Sequence, residues 1–350
     1  MTRLRPDFAK ASASAKASAD KPSGYGAAGS VIAVVAALGL ATFGVVRGTW
    51  AVGGSDSSCY ALMAQAMASG RLQPASALAV EAPWPDASRT LAPGGFIPSP
   101  VRPDAASPIC APGFSVLMAP MAALFGPNAI FWLIPLSGAV LVFSAFVIAR
   151  KLAGGMAGVT AAILTATSPI VLFQVVQPMN DVLAAALWIA ALAVLVDRKG
   201  RSPLVVSGIL IGLAIMVRPN LAPLAVVIAL VPWIFMRPYP VRSMAIMAVA
   251  ALPAVAVMFW LNDALYGSAL ASGYGDATQL FSTTHIQDNL TNFGRALLQT
   301  QYLVPLLGVM APIVFSGDRR KLSVVALIAA AVVIAIYLLY QPYPEWWYLR

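Results

Sequence analysis

The chain carries its apolar residues in runs as long as a bilayer is thick, and no water-soluble fold can bury several of those. Residues 31–46, VIAVVAALGLATFGVV, hold no charged side chain, and comparable runs recur as far as residue 340. A membrane-crossing helix needs about 20 consecutive apolar residues. By that guide nine spans are expected, at 30–50, 127–149, 156–173, 182–197, 203–217, 220–236, 243–261, 296–315 and 322–340. Charged residues make up only 10% of the chain, against about 25% in soluble domains, which excludes a soluble globular protein. The expected fold is an all-α polytopic membrane protein of about nine transmembrane helices, with a large first external loop carrying an amphipathic helix.

The formal net charge of +9 does not point to nucleic acid, because no basic cluster is interleaved with aromatics as a nucleic-acid surface requires. The basic residues lie in short runs between apolar segments. With the N-terminus inside, 15 of the 22 Lys and Arg fall in inner segments, among them Arg150, Lys151, Arg198, Lys199, Arg319, Arg320 and Lys321. That bias sets the orientation by the positive-inside rule. Residues 1–29, rich in Ala, Ser and Lys, are expected to be a disordered cytoplasmic tail. Residues 30–350 then form the membrane domain, of which 51–126 is the external loop. No small-residue cleavage site follows the first apolar run, so an uncleaved first helix is expected.

The one long polar interruption is Gly53–Pro112. It carries Asp56, Glu81, Asp86, Asp104 and both cysteines. Ser57–Ser69 places Cys59, Met63, Ala66 and Met67 on one helical stripe, with Ser58, Gln65 and Ser69 on another. That pattern predicts an amphipathic helix suited to the membrane surface. Nine prolines between Leu72 and Pro112 prevent any long helix or central strand beyond it. Phe114–Phe125 is too short to span and is expected to dip into the outer interface. Cys59 and Cys110 both fall on the outer side, where disulfides persist. A bridge between them would stabilise by about 4 kcal/mol in the chain-entropy model; two free thiols are the alternative.

Four acidic residues are both external and next to a span: Asp56, Asp181, Asp263 and Glu345. Asp56 opens the predicted helix, where it could serve simply as the N-cap, and the helix N-terminus favours its ionised form. Arg218, in MVRPN between two short apolar runs, sits near the outer boundary. It is either a functional cation or a side chain snorkelling to headgroups. His285, the only histidine, has no second ligand nearby and reads as structural or solvated. No metal cluster and no cofactor motif is visible.

GGSDSSCYALMAQAMASGR (Gly53–Arg71) resembles the first external segment of the GT-C membrane glycosyltransferases, in the bacterial branch of protein O-mannosyltransferases and aminoarabinose transferases. APGFSVLMAPMAALFG (Ala111–Gly126) resembles the Pro-Pro-Gly segment of that family, with Ala at 111 where Pro is usual. QPMNDVLAAALWIAALAVL (Gln177–Leu195) resembles its fourth-span entry, GILIGLAIMVRPNLAPLA (Gly208–Ala225) its Arg-Pro segment, and YGSALASGYG (Tyr266–Gly275) its external Gly-Tyr segment.

The resemblance implies inverting transfer of a sugar from a polyprenyl-phosphate donor to an acceptor hydroxyl on a lipid, glycan or protein. The reaction would take place at the outer face of a bacterial inner (plasma) membrane. Asp56 is then the base, and Arg218, Arg102 and Arg295 are candidates for the donor phosphate. Tyr60 and Tyr274 are expected to orient the acceptor; Asp181 could orient the acceptor or a basic partner, or simply cap the fourth span; and no cofactor or metal is implied. The chain stops at YPEWWYLR (Tyr343–Arg350), where family members continue with further spans, so a C-terminally truncated member is expected. The competing readings are a secondary transporter and a non-catalytic membrane assembly subunit. A transporter would place polar residues near the midplane of paired repeats; here the ionisable residues collect at the outer boundary.

Overall fold

The computed structural model describes residues 25–197, 200–235, 239–302 and 304–348. The expected tail falls outside these residues, apart from 25–29, which open the first helix. The α-helices of seven residues or more are α1 (Tyr25–Arg47), α2 (Ser55–Ala68), α3 (Gly113–Phe125), α4 (Leu133–Ala153), α5 (Gly155–Thr167), α6 (Pro169–Val175), α7 (Asp181–Asp197), α8 (Arg201–Val217), α9 (Leu224–Phe235), α10 (Pro240–Tyr266), α11 (Ile286–Gln301) and α12 (Gly317–Leu339).

Among the described residues four helices are long and apolar enough to cross a membrane: α1, the run Pro127–Ala153 that contains α4, α10 and α12. Two bent pairs raise the number to six if each counts as one span, and α3, α8 and Pro219–Phe235 are shorter apolar helices. In one bent pair, α5 and α6 meet at 56°. Pro169 forces Ser168 out of the helical region (φ −60°, ψ 125°), as a proline does to the residue before it.

The second pair overturns an expectation. Residues 296–315 are not one continuous span: α11 ends at Gln301, Tyr302 is left-handed (φ 48°), and the chain turns through 102° into 304–314.

Helix α7 is enclosed, with Val182, Leu183, Ala186, Trp188, Ala191 and Leu195 all buried. It packs against α4 and α8; α1 lies along α4 and α5, α8 along α10, and α9 along α12. Gly208 and Gly212 bring α8 onto α10 so closely that a Cβ at either would lie 2.3 or 2.5 Å from the carbonyl oxygens of Met247 and Ala251. Small residues four apart are the usual means of such backbone approach in membranes. The outer surface of the bundle is apolar, with Val35, Leu38, Phe143, Val249, Leu252, Trp260 and Ile334 exposed. This is the inverse of a water-facing surface and suits lipid.

The proline-rich external segment is ordered by short-range devices. Phe96–Pro98 (β1) and Ala106–Pro108 (β2) pair antiparallel, Ile97 opposite Ser107. Gln73 Nε2 donates to Ser99 Oγ (2.8 Å) and Ser107 Oγ (2.7 Å), and Ser107 Oγ donates to the Leu265 carbonyl (2.8 Å) at the end of α10. Tyr266 Oη donates to the Pro108 carbonyl at 2.8 Å. Cys59 and Cys110 are joined in a disulfide, their Cα atoms 6.3 Å apart. Helix α2 does not present one face to a membrane surface as its stripe predicts. Ser57, Cys59, Tyr60, Ala61, Met63, Ala64 and Ala66 are buried around most of its girth, and it packs against α3. Pro120 leaves α3 unbroken, because the helix continues to Phe125.

Candidate active site

Between the external segment and the bundle lies a cavity of about 410 Å³, lined among others by Asp56, Tyr60, Cys110, Asn180, Arg218, Asn262, Tyr266, Tyr274, Phe281, Tyr337 and Tyr340. Its size falls within the usual range of about 300–1,000 Å³ for small-molecule sites. Five tyrosines and Phe281 give it flat, amphipathic walls that suit sugar rings and lipid alike.

Asp56 enters from the first turn of α2. It is not the N-cap. Gly54 is, and Ser57 serves the cap: the Gly54 N–H donates to Ser57 Oγ (3.0 Å), and that hydroxyl donates to the Gly54 carbonyl (3.0 Å). The cap's work is done by a serine, which leaves the Asp56 side chain to the cavity wall, where the helix N-terminus favours its charged form. One turn on, Tyr60 is 2% exposed and meets Phe114 edge to face at 4.9 Å. Burial, with Tyr274 and Asp56 nearby, pushes the Tyr60 phenol well above its ordinary range. Tyr60 therefore keeps its proton and can donate a hydrogen bond, but it cannot serve as a base.

Arg218 is placed by local chain chemistry. Pro219 disfavours helical geometry for the residue before it. Arg218 accordingly leaves the helix (φ −145°, ψ 81°) as the C-cap of α8. Its side chain does not snorkel outward, since the residue is only 8% exposed. The guanidinium is ion-paired with Asp181, donates to Asn180 Oδ1 (3.4 Å) and lies 5.6 Å from the Tyr337 ring centroid. Asn180 Nδ2 also donates to the Val217 carbonyl at 3.2 Å, tying the start of α7 to the end of α8. Asp181 thus reaches the site through Arg218 and does not itself line the cavity.

The other two candidate cations are elsewhere. Arg102 is exposed and donates two hydrogen bonds to Asp104 (3.1 and 2.7 Å), which hold that carboxyl below its usual range. Arg295 is exposed on α11, and neither residue lines the cavity. His285 Nδ1 lies 3.1 Å from the Leu339 carbonyl, a structural contact. Among the described residues no group of three His, Cys, Asp or Glu could hold a metal ion.

The sequence reading missed Tyr337, Tyr340, Asn180 and Asn262. The two tyrosines close the last apolar run, where an aromatic belt is expected in any membrane protein, so nothing set them apart. Asn180 was visible as the residue preceding Asp181.

Residues 108–261 match the sequence profile of a family described as dolichyl-phosphate-mannose-protein mannosyltransferase. No curated protein sequence matches the chain. Among solved structures it is similar to the archaeal oligosaccharyltransferase AglB from Archaeoglobus fulgidus, in complex with an inhibitory peptide and a dolichol-phosphate. The identity is 14% and the TM-score 0.42, and the match covers 88% of this chain and 37% of that one. The profile match runs from Pro108, at the edge of the disulfide, through the Arg218 junction to Leu261 on α10, so the similarity to that mannosyltransferase family spans the cation's side of the cavity and slightly less than half of the chain.

Proposed function

We propose that the protein transfers a sugar from a polyprenyl-phosphate donor to an acceptor hydroxyl at the outer face of the membrane, with inversion. The observation that carries this reading is that a carboxylate, Asp56, and a held guanidinium, Arg218, from distant parts of the chain line one cavity. The hydroxyl oxygen attacks the anomeric carbon as the bond from that carbon to the phosphate oxygen breaks, and the hydroxyl proton passes to Asp56. The lipid phosphate departs as an anion that Arg218 stabilises by a charge-assisted hydrogen bond. Because the leaving group is already anionic, no general acid is required. A carboxylate is a weak base for a hydroxyl, so proton transfer comes late, when the attacking oxygen has become acidic. The tyrosine walls orient donor and acceptor, with neutral Tyr60 as a hydrogen-bond donor. The bacterial inner membrane is the proposed location and the N-terminal tail is placed inside, following the charge bias of the loops.

The test is Asp56→Asn in proteoliposomes supplied with polyprenyl-phosphate hexoses and pentoses. Turnover is expected to fall by about 10²–10⁴-fold, the span of general-base contributions, with insertion and the Cys59–Cys110 bridge retained. Turnover equal to wild type removes Asp56 as the base.

A further inference from the structure

Two glycines at the junctions of the external segment touch the backbone immediately beside the two charged residues of the cavity. Gly95 has φ +85°, and a Cβ there would lie 2.1 Å from the Ser55 carbonyl oxygen, 2.9 Å from its carbon and 3.0 Å from Cys59 Cβ. That carbonyl belongs to the peptide joining Ser55 to Asp56. A Cβ on Gly113, the first residue of α3, would lie 2.1 Å from the Met216 carbonyl oxygen, 2.3 Å from its carbon and 2.7 Å from the Val217 nitrogen. Arg218 is the next residue. In both places the obstacle is backbone, which cannot swing aside as a side chain can. The disulfide links the two contacts: Cys59 is on α2 one turn from Asp56, and Cys110 lies three residues before Gly113.

We propose that Gly95 and Gly113 are positioning residues, Gly95 seating the Asp56 end of α2 and Gly113 seating the Arg218 junction, so that the gap between base and cation is set by two backbone contacts and the disulfide between them. The kinetic consequences rest on the proposed glycosyl transfer; the structural ones do not. Reacting groups displaced by about 1 Å cost on the order of 10²-fold in rate, so a methyl group at each contact has a distinct signature. Gly95→Ala displaces the base and lowers kcat by 10-fold or more, with the KM for the lipid-phosphate sugar held within about 3-fold. Gly113→Ala displaces the phosphate-holding cation and raises that KM by about 10-fold, with kcat changed far less. Gly94, beside Gly95, has open space where a Cβ would stand, with nothing within 4 Å, and Gly94→Ala is the control that changes neither constant.

Two further measurements separate positioning from general loss of structure. In an Arg218→Ala background, Gly113→Ala is expected to add little to KM, because both changes act through one group; full additivity overturns the assignment. Hydrogen–deuterium exchange of the whole protein in detergent needs no activity. Gly113→Ala is expected to speed exchange at 214–220 and spare 54–60, and Gly95→Ala to do the reverse. Equal acceleration of both segments by either variant, or none, overturns the proposal. Site-selective exchange changes combined with no sugar transfer by wild type would instead leave the positioning intact and refute the glycosyl-transfer reading.

Discussion

Arg218 and Asp181 form a charge pair in which each side chain is about a tenth exposed or less, 10% and 8%. Taking two ions out of water is expensive, and their attraction does little more than offset that cost. The pair is thus poor evidence for stability; under the proposed function it holds a cation ready for the donor phosphate. On the proposed function, an incoming lipid phosphate would compete with Asp181 for the same guanidinium. Asp181→Asn, which leaves the buried arginine without its carboxylate, is expected to cost the empty protein about 3 kcal/mol and to free Arg218 for the phosphate. Melting temperatures with and without polyprenyl phosphate measure both effects. The empty variant should melt lower, and the lipid should raise its Tm by more than it raises that of wild type. An equal rise in both proteins would show that Asp181 and the lipid do not compete. Arg218→Ala is expected to raise the KM for the lipid-linked sugar by 10-fold or more, about 1.4 kcal/mol; an unchanged KM in steady-state assays removes Arg218 from the site. At this scale the sequence showed which charges stand near membrane boundaries, because a charge there is costly and therefore conspicuous. It did not show which charges face inward. Arg102 found Asp104 two residues away, and only the fold of the proline-rich segment decides that.

Helix α11 shows what an element can and cannot disclose from its residues. Around its axis are three sectors. Asn289, Ala296 and Thr300 are buried against the protein, Ile286 and Leu290 are exposed and apolar, and Gln287, Asp288, Thr291, Arg295 and Gln299 are exposed and polar, with Leu298 as an exposed apolar residue within that polar sector. Asn289 Nδ2 donates to the Tyr337 and Leu338 carbonyls, both at 3.1 Å, at the end of α12, where the Tyr337 carbonyl also accepts from the Tyr340 N–H (3.3 Å). A buried side, an exposed apolar side and an exposed polar side are the pattern expected of a helix lying in a membrane interface, with 304–314 turned 102° away from it. A fluorophore attached at Leu290→Cys is expected to be quenched by lipids labelled near the headgroup, and one at Gln299→Cys by aqueous quencher. The native cysteines are bridged and do not compete for label. Equal aqueous quenching at both positions would place α11 away from the bilayer. Hydropathy alone joined residues 296–315 into one span, since it sums composition and does not register a left-handed Tyr302. The 3.6-residue rhythm of 286–301 was legible and pointed the other way. For α2 the reverse held: its stripe was real, but the docking of α3 and of the disulfide covered the remaining faces.

Across the whole molecule, the helix ends that the charge bias assigns to one side are tied to each other. The Thr49 N–H donates to the Val176 carbonyl (2.8 Å), Asn180 reaches Val217, and the external segment bonds to Leu265 through Ser107. At the opposite end, Arg150 pairs with Asp197 at 2.9 Å and lies 5.2 Å from the Phe146 ring centroid. A single miscounted hairpin would have set later ends on the wrong side and broken this agreement. The contacts between residues 49 and 265 follow the expected alternation, whereas hydropathy did not fix the number of crossings, because short and bent helices satisfy it without fixing where each one stops. Agreement among the ends still leaves two mirror assignments, inside and outside, and only the basic loops choose between them. Arg71 and Arg319 are both exposed and fall on opposite sides of the proposed membrane. In intact cells a membrane-impermeant maleimide is expected to label Arg71→Cys, and to reach Arg319→Cys only after permeabilisation. The opposite pattern would put the cavity on the cytoplasmic side, where the Cys59–Cys110 bridge would face a reducing compartment and transfer at the outer face could not occur.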